Sequence, residues 1–102
     1  MKKENVIEKI LNIVAEDCGI RPRAVKGKST SAALVRARRL CMEIAWREFG
    51  FTQTEIGNCL GGKSACCVHN AIVKVRKFRQ TNKEFDCDYG RISQKVKHHF
   101  EQ

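Results

Sequence analysis

Two adjacent glycines, Gly61 and Gly62, split the middle of this chain into two segments of helical periodicity. Upstream, Thr52 and Glu55 have the spacing of a reciprocal capping pair, and Ile56, Cys59 and Leu60 fall on one side of the helix they would start. Downstream, a helix from about Ser64 to Phe78 places Cys67, Val68, Ala71, Ile72, Val75 and Phe78 three or four residues apart. Lys74, Arg76, Lys77 and Arg79 occupy its other face and far end. A helix, a glycine turn and a second helix in a basic chain form the pattern of a helix-turn-helix that binds DNA, spanning 52–79. In such a unit the first helix crosses the backbone and the front of the second enters the major groove.

The flanking chain is helical too. Val6, Ile7, Ile10, Leu11 and Val14 form an apolar stripe on a helix over 2–17, which Gly19 ends. Pro22 suits the first position of a short helix over 22–26, closed by Gly27. Thr30 or Ser31 then caps a long helix that runs to Phe49 and stops at Gly50. Its inner face carries Leu34, Ala37, Leu40, Cys41, Ile44, Ala45 and Phe49, with Trp46 at the edge. Gln80 to Lys83 is a polar link, and Asp86 or Asp88 caps a last helix striped by Phe85, Tyr89, Ile92, Val96 and Phe100. The expectation is an all-α fold of five to six helices. At 102 residues, 1–102 forms one domain with a modest core that needs no disulfide. Of the thiols, Cys67 is expected in the core and Cys66 at the surface. The six cysteines read as reduced, since no secretory segment or membrane span is evident, and the expected location is cytoplasmic.

A net charge of +9 calls for a polyanionic partner. Between Arg21 and Arg39 stand seven basic residues and no acidic one. Arg36, Arg38 and Arg39 lie in the first turns of the long helix, where the helix dipole favours acidic side chains. Such a local conflict marks a binding surface. At the front of the helix after the diglycine, Lys63 can donate to guanine or phosphate, and Ser64 can bond a base or cap the helix. Ala65 and Cys66 can offer only apolar contact, as with a thymine methyl. The surface expected to meet double-stranded DNA therefore comprises Lys28, Arg36, Arg38, Arg39, Thr52, Lys63, Ser64, Ala65, Cys66, Asn70 and Lys74.

Other chemistry is weaker. Gly57 to Ser64 spells the phosphate-loop pattern G-x-x-x-x-G-K-S, but a capping box and not a buried strand precedes it, and Gly57 falls inside a helix, so no nucleotide is expected. Cys66, Cys67 and His69 have no second ligand pair for zinc. Nucleophile, base and orienting acid do not assemble into a catalytic set, so no enzyme activity, cofactor or metal is expected. The end helices lack the basic flanks and large apolar anchors of a membrane-surface helix. The rival to DNA binding is a helical protein-interaction module on the same scaffold.

The run Thr54-Glu55-Ile56-Gly57, then Leu60-Gly61-Gly62-Lys63, then Val68 and Ala71, resembles the C-terminal DNA-binding domain of the bacterial replication initiator DnaA. That family's signature joins an Ile-Gly pair, through a short spacer with an aromatic, to Gly-Gly-Arg-Asp-His-Thr-Thr-Val. Upstream, Arg36-Ala37-Arg38-Arg39 and Met42-Glu43-Ile44-Ala45 resemble the family's Arg-Pro-Arg-Gln run and following helix, and the likeness covers about residues 6–80. It implies a Trp-repressor-like helix-turn-helix that binds duplex sequences at a replication origin. It also implies that Lys63 replaces an arginine at the turn, that Arg36 stands where an arginine enters the minor groove, and that Arg38 matches a basic position. The family's base-reading Asp-His-Thr is Ser64-Ala65-Cys66 here, followed by Cys67. The resemblance thus implies the fold but not recognition of the standard initiator box. It includes no ATPase portion, so a protein partner is expected to supply other functions.

Overall fold

A computed structural model describes residues 3–28 and 31–101. Among the described residues six helices follow in order: α1 (Lys3–Cys18), α2 (Pro22–Lys26), α3 (Ala32–Phe49), α4 (Gln53–Cys59), α5 (Ala65–Thr81) and α6 (Lys83–Glu101). There is no strand among the described residues. The all-α expectation holds, with α3 at the centre packed between α1 and α5, and α6 closing the far side against both α1 and α5.

The punctuation works as its chemistry dictates. Gly19 and Gly50 end α1 and α3 in the left-handed conformation, with φ of 71° and 73°, which costs glycine little. Pro22 begins α2, where its missing N–H has no partner to lose. Ser31 caps α3, its hydroxyl accepting from Leu34 N at 3.4 Å; Thr30, the other candidate, lies outside the described residues. At α4 the capping box is complete: Thr52 Oγ1 accepts from Glu55 N at 3.1 Å and Glu55 Oε1 accepts from Thr52 N at 3.0 Å.

The core is one cluster. Ile7, Ile10, Leu11 and Val14 of α1, Ala37, Leu40, Cys41 and Ile44 of α3, and Val68, Ile72 and Val75 of α5 belong to it, joined by Ile56, Leu60, Tyr89, Ile92 and Val96. Burial pushes the Cys41 thiol up to about 12, so this cysteine acts as a small hydrophobe. Three features depart from expectation. Cys67 is exposed, because Val68, one position on, takes the core-facing site. The link over 80–83 shrinks to Asn82, since α5 continues to Thr81, whose hydroxyl donates to Lys77 O at 2.9 Å. Asn82 also replaces Asp86 and Asp88 as the cap of α6, its Oδ1 accepting from Phe85 N at 3.1 Å. Both aspartates pair sideways instead, Asp86 with Arg79 at 2.8 Å and Asp88 with Arg36 at 2.5 Å.

The inner face of α3 also holds charge. Glu43 is fully buried; its Oε1 accepts from Arg47 Nε at 2.6 Å, while Oε2 finds no hydrogen-bond partner among the described residues. Where α1 ends, Asp17 accepts from Arg91 at 2.6 Å and from Lys95 at 2.8 Å, which fastens α1 to α6. Burial tends to raise the Asp17 pKa, but these two cations, through hydrogen bonds and charge, hold it below the ordinary value.

Candidate nucleic-acid interface

The site is built on the turn between α4 and α5. Lys63 N donates to Gly57 O at 2.8 Å, which folds the turn back over α4. This fold-back explains a glycine inside a helix. A Cβ on Gly57 would lie 2.1 Å from the Lys63 carbonyl oxygen, so only a bare Cα lets the two backbones approach. Gly61 makes the second close approach: its φ is +84°, and a Cβ there would lie 2.2 Å from Lys26 O at the end of α2. The phosphate-loop pattern is thus met by a helix and a glycine turn pressed against α2.

Two cations then lock α2 in place. Lys63 Nζ donates to Leu60 O at 2.8 Å, Lys26 O at 3.3 Å and Gly27 O at 3.4 Å. Arg38 Nε donates to Val25 O at 2.5 Å and its Nη2 to Ala24 O at 3.3 Å. A helix C-terminus leaves its last carbonyls without partners and carries partial negative charge, so cations suit it from both sides. Burial lowers the Lys63 pKa, and the Arg38 charge lowers it further. Arg38 is only 8% exposed. The sequence expectation of an outward, phosphate-facing Arg38 is therefore corrected: the last turn of α2 offers it the carbonyls of Ala24 and Val25, which a sequence pattern does not reveal.

Between α3 and α5 lies an open cleft of about 490 Å³. It gathers Arg38, Arg39, Lys63, Ser64, Cys66, Asn70 and Lys74 of the expected surface, together with Cys67. Ser64 caps α5, its hydroxyl accepting from Cys67 N at 3.1 Å, and Ala65 is half-buried in the first turn. Asn70 and Lys74 are exposed, and Arg39 lies 5.8 Å from the centre of the Phe78 ring. Lys28 is exposed in the connection whose Gly27 carbonyl meets Lys63, so the basic lead-in to α3 adjoins the front of α5. Two expected residues lie elsewhere. Arg36 is turned to α6, paired with Asp88 and 5.5 Å from the centre of the Phe85 ring. Thr52 is at the start of α4, held in its capping box.

Sequence reasoning weighed His69 only as a zinc ligand and passed over Val73. His69 Nδ1 lies 3.2 Å from Gln53 Nε2, and Val73 is 48% exposed in mid-helix. Val73 sits opposite the buried row Val68, Ala71, Ile72 and Val75 and His69 on its flank, so the same periodicity that found the core could have placed both outside it. On the far flank of α5, Arg76 lies 4.7 Å from the Trp46 ring centre, which gives that half-buried tryptophan the role of a prop.

A short helix, a turn closed on a buried glycine and a longer helix with an exposed basic flank, all on a helical core, define a helix-turn-helix DNA-binding domain. The chain belongs to the bacterial DnaA helix-turn-helix family, whose family model, described as "Bacterial dnaA protein helix-turn-helix", matches residues 7–75. It is 28% identical over 95 residues to the chromosomal replication initiator protein DnaA of Francisella tularensis subsp. novicida, covering 93% of this chain and 19% of that protein. It is 29% identical over 96 residues to the DnaA of Campylobacter concisus, covering 93% of this chain and 22% of that protein. The chain thus spans about a fifth of the length of these curated relatives. No helix among the described residues is long and apolar enough to cross a membrane.

Proposed function

We propose that this chain binds double-stranded DNA by seating the exposed face of α5 in the major groove, and that it does so in replication initiation of the kind its relatives are named for. The chain acts by binding; chemistry such as nucleotide hydrolysis would come from a protein partner or another part of a longer assembly. The single observation that carries this reading is the α3–α5 cleft, which puts Arg39, Lys74 and Asn70 on one open side next to the basic 21–39 region. In this reading Arg39 and Lys74, which line the cleft, take phosphate, with the exposed Lys28 from the adjoining loop. Lys63 and Arg38 support the surface by fixing α2 beneath it, and backbone amides at the start of α5 can donate to a phosphate oxygen.

The test is fluorescence anisotropy on duplex oligonucleotides across a salt series. Each phosphate contact removed lowers the slope of log affinity against log salt by about 0.9. Arg39→Ala with Lys74→Ala is therefore expected to reduce the slope by nearly two units, while the melting temperature stays near that of the parent. Equal slopes, or no duplex affinity at low ionic strength, would overturn the proposal. One observation favours the rival protein-interaction role: Phe78 is 38% exposed beside Phe85 in a second cleft, of about 480 Å³, with Val35 and Asn82. That reading stands if duplexes fail to bind and Phe78→Ala abolishes capture of a specific protein.

A further inference from the structure

The first turn of α5 has few polar side chains left for bases. Lys63 is tied to three carbonyls, the Ser64 hydroxyl caps the helix, Ala65 is half-buried and Cys66 is a thiol. Further along, Cys66, Asn70, Val73 and Lys77 recur at i, i+4, i+7 and i+11 and are all exposed. They form one stripe directly opposite the buried row. From Cys66 to Val73 the helix rises about 10 Å at 1.5 Å per residue, which matches about three base-pair steps of 3.4 Å. Val73 is the anomaly in this stripe. A β-branched apolar side chain, 48% exposed among Asn70, Lys74 and Lys77, is neither core nor a good solvent-facing helix former.

We infer that this stripe reads A·T pairs: Asn70 engages the N7 and N6 edge of an adenine, and Val73 and Cys66 meet thymine methyl groups on either side of it. Asparagine matches the acceptor–donor pair that adenine shows in the major groove, and thymine is the base that offers a methyl there. Lys77 and Lys74 supply the positive flank that draws the stripe to a polyanion. The inference rests on the proposed duplex binding and adds which bases are read and from where on the helix. Readout is then shared between Cys66 in the first turn and Asn70 and Val73 one to two turns further along α5.

The experiment is selection from duplexes with a randomised centre, run for the parent, Asn70→Ala and Val73→Ala, with thermal melts of each. The parent is expected to enrich a short motif in which an adenine lies within three base pairs of thymines. Asn70→Ala should relax the adenine preference roughly tenfold and leave the flanking positions alone. A duplex in which deoxyuridine replaces the selected thymines lacks only the methyl groups, so it should bind the parent several-fold more weakly and Val73→Ala with less difference. The deoxyuridine comparison uses the parent protein and does not depend on any variant folding. A G·C motif, an unselective parent, or a motif unchanged in both variants would overturn the inference while leaving duplex binding intact. No binding to any duplex would overturn both.

Discussion

The turn between α4 and α5 and the outer face of α5 are neighbours in sequence but differ in kind. Around the turn the polar groups are engaged. Lys63 N, Lys63 Nζ, Ser64 Oγ and the Arg38 guanidinium all have backbone or capping partners, and two glycines sit where a Cβ would strike backbone. On the outer face, Asn70 makes one long contact to Cys66 Sγ at 3.9 Å, while Val73, Lys74 and Lys77 stand open. The lesson is a division of labour. The charge nearest the helix front builds the platform, and the exposed side chains further along are those the proposal assigns to the duplex.

Substitutions can break or sharpen that contrast. The largest effect is expected at Gly57→Ala, which drives a methyl into the Lys63 carbonyl and should cost about 3 kcal/mol or more in urea unfolding. A cost below ~1 kcal/mol would mean that the turn yields easily and is no rigid platform. Next comes Arg38→Met, which keeps the apolar stem but strands carbonyls of α2. A loss of about 2–3 kcal/mol is expected for charged hydrogen bonds of this kind. Its salt slope for duplex binding should match that of the parent; a slope lowered by about one would return Arg38 to the phosphate-contacting group.

Asp17→Asn probes a distant clamp, and should cost about 1–2 kcal/mol at neutral pH because its partners Arg91 and Lys95 are half exposed and screened. Asp17 titrates below its unfolded value, so its contribution is complete above about pH 3.8. It is lost as pH falls through the lowered native value, and the gap between parent and variant should close there in acid melts. The smallest stability effect belongs to the outer face: Lys74→Ala should change unfolding by under about 0.5 kcal/mol yet lower the salt slope by about 0.9. A stability loss as large as that of Arg38→Met would erase the distinction between platform and face.

Helix boundaries were legible in the sequence because their signals are local. A serine hydroxyl three residues from an amide, a glycine where φ must be positive and a proline at a first turn act within a few residues. Family membership was legible for the same reason: the Ile56-Gly57 and Leu60-Gly61-Gly62-Lys63 runs encode a backbone crossing. The errors came where one position decides between faces or where a distant group competes. Cys67 lies one residue from the core-facing Val68, and a shift of about 100° around the helix moved it into solvent. Asp86 and Asp88 had the chemistry of caps, but Arg79 and Arg36 reached them from other helices.

The sequence by itself therefore determined the helices, their order, the helix-turn-helix and the basic character of one surface, since periodicity and capping are properties of contiguous chain. Only the tertiary structure decided what each cation does. Arg36, Arg38, Arg39 and Lys63 are alike as symbols, yet one pairs with α6, two hold the carbonyls of α2, and Arg39 borders the open cleft. The physical reason is reach: a long cationic side chain goes to whichever carboxylate or unsatisfied carbonyl the folded chain brings near it, and those partners lie 13, 37 or 52 residues away.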